Sequence, residues 1–554
     1  MKLDKRLILC MLVLLALISV ADLLIRPGHP VTFDGHIHMT TMNQFAQSLA
    51  DGEFPVTWSN NFANFGLPLP LFAHQLPAYL GAVLILLGAS TETAYTVLVT
   101  FSLIGATILF YVFFRKYANQ LVSLTATGIA TFFPYRALNI YTRGALPEIM
   151  STLFLPIVFL SIWNLQHKKY HLALGLLFMS TLGIALTHPM MLLIFFIPLS
   201  LYFLSGLDKR TALKQVVIAA SSVGLALLAA SYYLLPLFLE MKYFYQANIQ
   251  SSIVNDGFLS LTQLYSTQWF YTFTHPGPRG NFIKLGLFEL SIFIASLIVL
   301  FLSQVDPIKK YVKKKALPEL KTWIAMSVMS LLLLLPVTKL LYTLPLVDKI
   351  QYPWRFLNVL QFLLPGLFVM LTQAVPKLQN KIVLVTLLAL VLWLRVPEFY
   401  GKNYIVQPES DYAFTTANLH SLNMNPVWTG NSEEYPTKEV QAEIIEGTGT
   451  LEISTAKNAS REYQIDSETE IRMIDYTFYF PGWNVFVDGN PVEIEYQDTR
   501  YRGLITYRVP AGKHTLSVIY SPTRIRLLSG VLSGLGLFIF GLLSIVTKKK
   551  KLLL

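Results

Sequence analysis

Cysteine is nearly absent: Cys10 is the only one in 554 residues. A lone thiol excludes an intrachain disulfide and any cluster of thiolate metal ligands. Charge is also scarce. Charged residues make up 14% of the chain, against roughly 25% in soluble domains. The formal net charge of +11 arrives without any RNA- or DNA-binding motif. Its lysines and arginines fall in short clusters between apolar runs, as in cytoplasmic loops of membrane proteins, so nucleic acid is not expected as a partner. The middles of the apolar runs are almost free of ionisable residues, and there is no internal repeat. A proton- or ion-coupled carrier needs such groups or broken helices near the midplane, in paired repeats.

What is abundant is apolar and aromatic surface. Hydrophobic residues are 54% of the chain, mean hydropathy is +0.51, and Phe and Tyr number 37 and 28. Apolar runs lie at 7–25, 92–114, 120–136, 148–164, 170–187, 190–206, 215–239, 286–303, 321–342, 355–374, 381–396 and 525–546. Most have the ~17 to 25 residues that cross ~30 Å of hydrocarbon. The chain therefore reads as a polytopic α-helical membrane protein with about twelve spanning helices. The opening MKLDKR with Leu7 to Leu24 has the form of a signal peptide, with Ser19-Val20-Ala21 as a weak cleavage pattern. Beside so many later spans it reads as an uncleaved first helix.

The run Leu76 to Leu87 is short for a span. If it lies in the outer interface, the basic clusters at Lys2/Lys5/Arg6, Arg115/Lys116, Lys168/Lys169, Lys209/Arg210/Lys214, Lys309 to Lys315, Lys377/Lys381 and Lys548 to Lys551 all fall on one side. That assignment makes the chain a multi-pass protein of the cell membrane with both termini cytoplasmic. It divides the chain into a transmembrane domain, 1–396, with a long first outer loop, 26–91; an extracytoplasmic β-domain, 397–524; and a final transmembrane helix with a basic cytoplasmic tail, 525–554. In the β-domain, Val485, Val487, Val492, Ile494 and Tyr496 alternate about Asp488-Gly489, a hairpin signal. Ala511-Gly512 punctuates a second strand pair in the same way, and Asn458-Ala459-Ser460 is a glycosylation sequon.

Ionisable residues fringe the spans mainly at their outer ends: Arg136, Arg143, Glu148, Glu240, Glu289 and Arg355, beside a loop holding Asp34, His36 and His38. Any one of them can be a helix-end anchor. Their concentration on one face points to chemistry at the outer headgroup level.

The first loop reads FDGHIHMTTMNQFAQSLADGEFPVTWSNNFANFGLPLPLFAHQLPAYLGAVLILLG. An Asp soon after the first span, then L-x-x-G-x-x-P-x-x-W, G-x-P, P-L-F and a short helix ending in L-G, resembles bacterial members of the GT-C superfamily of integral membrane glycosyltransferases. The likeness is to a branch with a C-terminal extracytoplasmic β-domain, sometimes labelled pyruvoyl-tetrahydropterin-synthase-related. Pro134-Tyr135-Arg136, Arg143-Gly144-Ala145, Pro147-Glu148, Leu235-Pro236 with Glu240, and Gln351 to Phe356 resemble further signatures of that branch, as do Pro481-Gly482-Trp483 and Pro510 to His514. Thr57 stands where an Arg often precedes the tryptophan, and the following glycine-rich stretch is reduced to Asn64-Phe65-Gly66-Leu67-Pro68. The sequence shows no three-histidine zinc pattern of the pterin-synthase kind.

The resemblance implies transfer of a sugar from a polyprenyl-phosphate donor to an acceptor on the outer face, the acceptor being a cell-envelope glycan, lipid or protein. Arg143, Arg136 or Arg355 would hold the donor phosphate, since guanidinium pairs with it bidentately. Asp34 would be the general base, with His38 four residues on sharing its helix face. Asp-Gly ahead of a helical run is equally ordinary capping chemistry, and His36 and His38 also read as polar loop residues. Glu148 joins the binding set, His188 is a helix-end residue or a sugar contact, and Trp58 and Trp354 are interface anchors that could stack on sugar or isoprenoid. A divalent cation is left open; no nucleotide or flavin is expected. A lipid-glycan transporter or flippase, or a non-catalytic membrane scaffold, remain as alternatives.

Overall fold

The computed structural model describes residues 4–60, 65–244, 257–266, 283–306, 308–413, 426–429 and 439–552. Asn64, where the reduced glycine-rich stretch begins, lies outside them. Among the described residues seven helices are long and apolar enough to cross a membrane: Thr91–Phe114, Leu146–Gln166, Tyr170–Thr187, Ala212–Ala229, Lys314–Leu333, Pro353–Ala374 and Arg524–Val546. The chain is thus a multi-pass integral membrane protein. Other apolar runs form shorter helices, among them Lys5–Ser19, Pro189–Ser205, Leu287–Leu302 and Lys381–Arg395. The run 120–136 is cut short because its helix stops at Thr131, ahead of Pro134. Proline pushes the residue before it out of the helical region. Helix Gln75–Leu86 has 12 residues, or ~18 Å, which cannot cross ~30 Å of hydrocarbon.

The helices differ sharply in burial. Pro353–Ala374 runs through the bundle centre with 94% of its apolar window covered, whereas only 17% of the window in Arg524–Val546 is covered. The last helix packs on Ala212–Ala229 and Ser231–Glu240. Gly536 permits the approach, since a Cβ there would fall 2.6 Å from the Ala229 nitrogen.

The C-terminal strands make two antiparallel sheets. One has five strands, in the order Gly449–Ala456, Ser460–Ser467, Gly512–Tyr520, Trp483–Val487 and Asn490–Val492. The other has three, in the order Ala442–Glu446, Ile471–Phe478 and Leu504–Val509. Asp488 and Gly489 both take positive φ (46° and 79°) and join paired strands, Val487 opposite Asn490. Two left-handed residues are what a tight hairpin between right-twisted strands requires. The expectation at Ala511-Gly512 is corrected. The strands either side belong to different sheets, Leu504–Val509 pairing with Ile471–Phe478 and Gly512–Tyr520 with Ser460–Ser467.

The first loop is not free. Trp58, Leu71 and Phe72 share a core with Trp483, Tyr463 and Tyr520 of the strand region, and Phe65, Leu67 and Leu69 pack on Ile474 and Phe478. Asn458 fastens this contact. Its Nδ2 donates to Ser48, Glu53 and the Trp58 carbonyl at 2.7–3.0 Å, while its Oδ1 accepts from the Asn60 nitrogen. A glycan on Asn458 Nδ2 would displace hydrogen bonds that tie this side chain to the first loop.

Candidate functional site

Two stretches more than a hundred residues apart are stitched together at the backbone. Phe33 N donates to Thr142 O at 3.1 Å and Asp34 N to Arg143 O at 2.7 Å. Gly144 then has φ 66°, and a Cβ there would lie 2.3 Å from Thr32 Oγ1 and 2.7 Å from the Gly35 nitrogen. Glycine is needed for the left-handed turn and for the close approach. Arg143 ends a π-helical turn, Leu138–Arg143, a widened geometry that recurs at functional sites. Glu148 lies in the first turn of Leu146–Gln166, where the helix dipole favours a carboxylate. Arg355 comes from the turn Pro353–Phe356, with Asn358 and Gln361 following at three-residue steps into the buried helix Leu357–Ala374.

These elements converge on Glu148, whose side chain is 1% exposed. Arg143 Nη1 lies 2.9 Å from its Oε2 and Arg355 Nε 2.9 Å from its Oε1. Asn358 Nδ2 and the Tyr135 hydroxyl also donate to Oε2, at 2.8 and 3.1 Å. Arg143 Nη1 reaches Asn139 Oδ1 at 2.9 Å, and Arg355 Nη1 reaches Gln351 Oε1 at 3.0 Å. Both carboxylate oxygens are engaged, so Glu148 holds two guanidiniums in fixed orientation.

Above this hub opens a cavity of about 240 Å³, lined by Asp34, His38, His74, Arg143, Glu148, His188, Gln351 and Arg355, with Ile37, Met42, Leu69, Phe72, Pro77 and Leu146 as apolar wall. Asp34 occupies the N-cap position of helix Gly35–Ala50, yet its carboxylate makes no capping hydrogen bond; Thr32 Oγ1 accepts from the Gly35 nitrogen instead. The Asp34 side chain is 41% exposed, and Oδ2 stands 3.6 Å from Arg143 Nη2. Loss of solvent pushes its carboxyl above the usual range, against the pull of Arg143. Burial drives the neighbouring imidazoles the other way, His38 down to about 4 and His74 to about 3, so both are neutral at physiological pH. The three histidine rings form a row, with centroids 6.0 Å apart for His38 and His74 and 4.7 Å for His74 and His188.

Of the residues singled out in the sequence, Asp34, His38, Arg143, Glu148, His188 and Arg355 meet at this cavity. Arg136 and Trp58 do not. Arg136 lies deeper, its Nε donating to Gln361 Oε1 at 3.0 Å. Trp58 is fully buried against Trp483, with ring centroids 5.1 Å apart. A tryptophan in a sequence gives no sign of whether a ligand or a neighbouring strand will cover it. Sequence reasoning missed His74 and Asn358. Asn358 had a usable signal, since Arg355, Asn358 and Gln361 are polar residues on one face of an otherwise apolar run. Among the described residues no three His, Cys, Asp or Glu side chains are grouped to hold a metal ion. Glu148 is committed to arginines, so among the described residues the cavity offers no divalent-cation ligand set.

Residues 72–401 match the family described as 6-pyruvoyl-tetrahydropterin synthase related domain, membrane protein. The chain belongs to that family. The matched stretch contains His74, Arg143, Glu148, His188 and Arg355; Asp34 precedes it. No curated protein matches the chain. Among solved structures, the apo oligosaccharyltransferase of Archaeoglobus fulgidus aligns at 12% identity and a TM-score of 0.37, covering 79% of this chain and 61% of that one. The AglB oligosaccharyltransferase of the same organism, in complex with an inhibitory peptide and a dolichol-phosphate, aligns at 13% identity and a TM-score of 0.36, covering 79% and 60%. The chain thus spans about three fifths of those chains, and likeness at this level fixes no activity for it.

Proposed function

We propose that this protein is a membrane glycosyltransferase that moves a sugar from a polyprenyl-phosphate donor to an acceptor hydroxyl on the extracytoplasmic face. The observation that carries the reading is the convergence of a carboxylate free of its cap, Asp34, with two buried arginines on one polar cavity. A purely structural role does not account for a part-exposed carboxylate that leaves its cap position unbonded and faces an arginine held by the Glu148 hub. Helix Gln75–Leu86 lines the cavity with Pro77 and Ala78 and leaves Leu80, Val83 and Leu86 exposed, a surface suited to a lipid tail.

The chemistry follows from these groups. Arg143 and Arg355 hold the donor phosphate and stabilise the charge that grows on it as the bond to the sugar's anomeric carbon breaks. The acceptor oxygen forms the new bond to that carbon, and Asp34 takes its proton. Phosphate binding occupies donors of Arg143 that otherwise face Asp34. The carboxylate then loses a stabilising cation and becomes a stronger base once the donor is bound.

The test is Asp34→Asn in purified, lipid-reconstituted protein. Removal of a general base should cost ~10²- to 10⁴-fold in transfer rate, while donor binding and melting temperature stay at the parent values. Transfer at the parent rate would end the assignment of Asp34. Absence of transfer by the parent from every polyprenyl-linked sugar tried would end the reading itself.

A further inference from the structure

Arg136 is 3% exposed and sits beneath the cavity floor. Its Nη2 reaches Thr152 Oγ1 at 3.4 Å, its guanidinium lies 5.0 Å over the Phe110 ring, and Nη1 has no hydrogen-bond partner. Among the described residues no carboxylate stands within ion-pair distance of it. Arginine stays protonated in proteins, so this is a standing buried cation with no protein counter-ion, an arrangement that ordinarily disfavours folding. It is wired to the cavity. Arg136 Nε donates to Gln361 Oε1, Gln361 Nε2 lies 3.3 Å from Asn358 Oδ1, and Asn358 Nδ2 donates to Glu148.

The linked network therefore holds three guanidiniums, Arg136, Arg143 and Arg355, and two carboxylates, Asp34 and Glu148, a net charge of +1. Resting on the glycosyltransferase reading above, we infer that the cavity is charge-matched to a singly charged phosphodiester, a lipid monophosphate sugar, and selects against lipid diphosphate donors. A phosphodiester brings one negative charge and neutralises the network. In the transfer step the anomeric carbon–oxygen bond breaks, its electron pair stays on the phosphate, and the acceptor proton passes to Asp34. The phosphate then carries two negative charges while the protonated network carries two positive ones. Neutrality holds on both sides of the step, in a site walled by apolar side chains where an unmatched charge is expensive. A diphosphate diester carries one more negative charge at each stage and is mismatched throughout. The row of histidines leaves the count unchanged, because burial holds His38, His74 and His188 all neutral.

The experiment compares three probes on the full-length protein in nanodiscs, read by tryptophan fluorescence with empty nanodiscs as blank: farnesyl methyl ether, farnesyl methyl phosphate and farnesyl methyl diphosphate, of charge zero, one and two. The parent should bind the monophosphate at least about tenfold more tightly than either other probe. Arg136→Met brings the network to zero, so it should lose the preference for monophosphate over the ether, still reject the diphosphate, and melt no lower than the parent, since an unpaired buried charge has been removed. Arg136→Lys should keep the preference. If Arg136→Met fails to fold, Arg136→Gln takes its place. Diphosphate binding as tight as monophosphate in the parent, or a monophosphate-over-ether preference unchanged in Arg136→Met, would overturn the charge-matching inference alone. Binding of neither phosphate above the ether would overturn the phosphate-site reading on which it rests.

Discussion

Two buried arginine–carboxylate sites in this molecule have opposite character. In the strand region, Arg461 and Asp475 are both fully buried, 2.9 Å apart. Asp475 Oδ1 also accepts from Gln441 at 2.8 Å and Thr477 at 2.6 Å, and Oδ2 accepts from the Tyr463 hydroxyl at 2.7 Å. Both carboxylate oxygens are bonded, and the Arg461 guanidinium, its Nε without a hydrogen bond, lies 4.9 Å over the Trp483 ring. At the cavity, Asp34 is part-exposed, stands 3.6 Å from its arginine and makes no capping bond. A closed network fixes a fold, because its members lose by letting go. An open one keeps donors and acceptors available for a ligand. The carboxylates differ in burial and in how completely their oxygens are bonded.

The comparison breaks if exchanging the same atoms has the same effect at both sites. Asp34→Asn should lower transfer ~10²- to 10⁴-fold and leave the melting temperature unmoved. Asp475→Asn should do the reverse. It leaves Arg461 without its charge partner, a change that typically costs ~3 to 5 kcal/mol. Limited proteolysis would register it as early cleavage in 442–520. A destabilised Asp34→Asn, or an Asp475→Asn that folds normally but loses transfer, would dissolve the distinction.

A smaller effect is expected at Arg143. Arg143→Lys keeps the charge and loses the planar fork that touches Glu148 and faces Asp34. Donor binding should weaken about tenfold, with little change in the pH dependence of transfer. An unchanged affinity would leave Arg355 as the phosphate ligand.

The pH profile sharpens the same contrast. Burial raises the Asp34 carboxyl above the ordinary range, so transfer should fall as pH drops through a value higher than the usual ~4. Arg143 pulls that value down, and Arg143→Gln should therefore shift the acid limb to higher pH. The stability sign is fixed as well. The folded chain holds this proton at a pH where the unfolded chain has released it. The contribution of Asp34 to stability is therefore full at low pH and lost as pH rises through its raised value. An acid limb near the ordinary carboxylate value would remove Asp34 from the rate.

How far these sites could be read from sequence depends on the range of the interactions that make them. Apolar run length is local, and the long helices follow from it. The Asp488-Gly489 hairpin is local too, because two positive φ angles demand those residue types. The pairing of strand 504–509 with 471–478 rather than 512–520 is not, since a turn signal does not say which edge a strand will join. Asp34 and Arg143 meet through backbone hydrogen bonds from Phe33 and Asp34 to Thr142 and Arg143, which no motif encodes. Gly144 was the visible trace, and its reason appears only when Thr32 and Gly35 lie against it. His74 carries no signal of its own. It joins His38 and His188 because helix Gln75–Leu86 packs across the bundle.

The smallest effect is expected in the exposed hairpin, where an ion pair has neither burial nor a cavity to amplify it. Asp488 Oδ1 accepts from the Thr515 nitrogen at 2.9 Å, and Oδ2 lies 2.6 Å from His514 Nδ1. That hydrogen bond raises the His514 imidazole above its usual value. The stabilisation is present in full below the unfolded value of ~6.5 and is lost as pH rises through the higher folded value. Asp488→Asn isolates the charge, because asparagine tolerates the same left-handed backbone and can still accept from Thr515. The parent should melt about one or two degrees higher at pH 6 than Asp488→Asn, as expected of a solvent-screened pair. At pH 9 the two should coincide. A difference that persists at pH 9 would trace to turn geometry instead of charge. One much larger at pH 6 would mean that this exposed pair behaves like the closed network around Asp475.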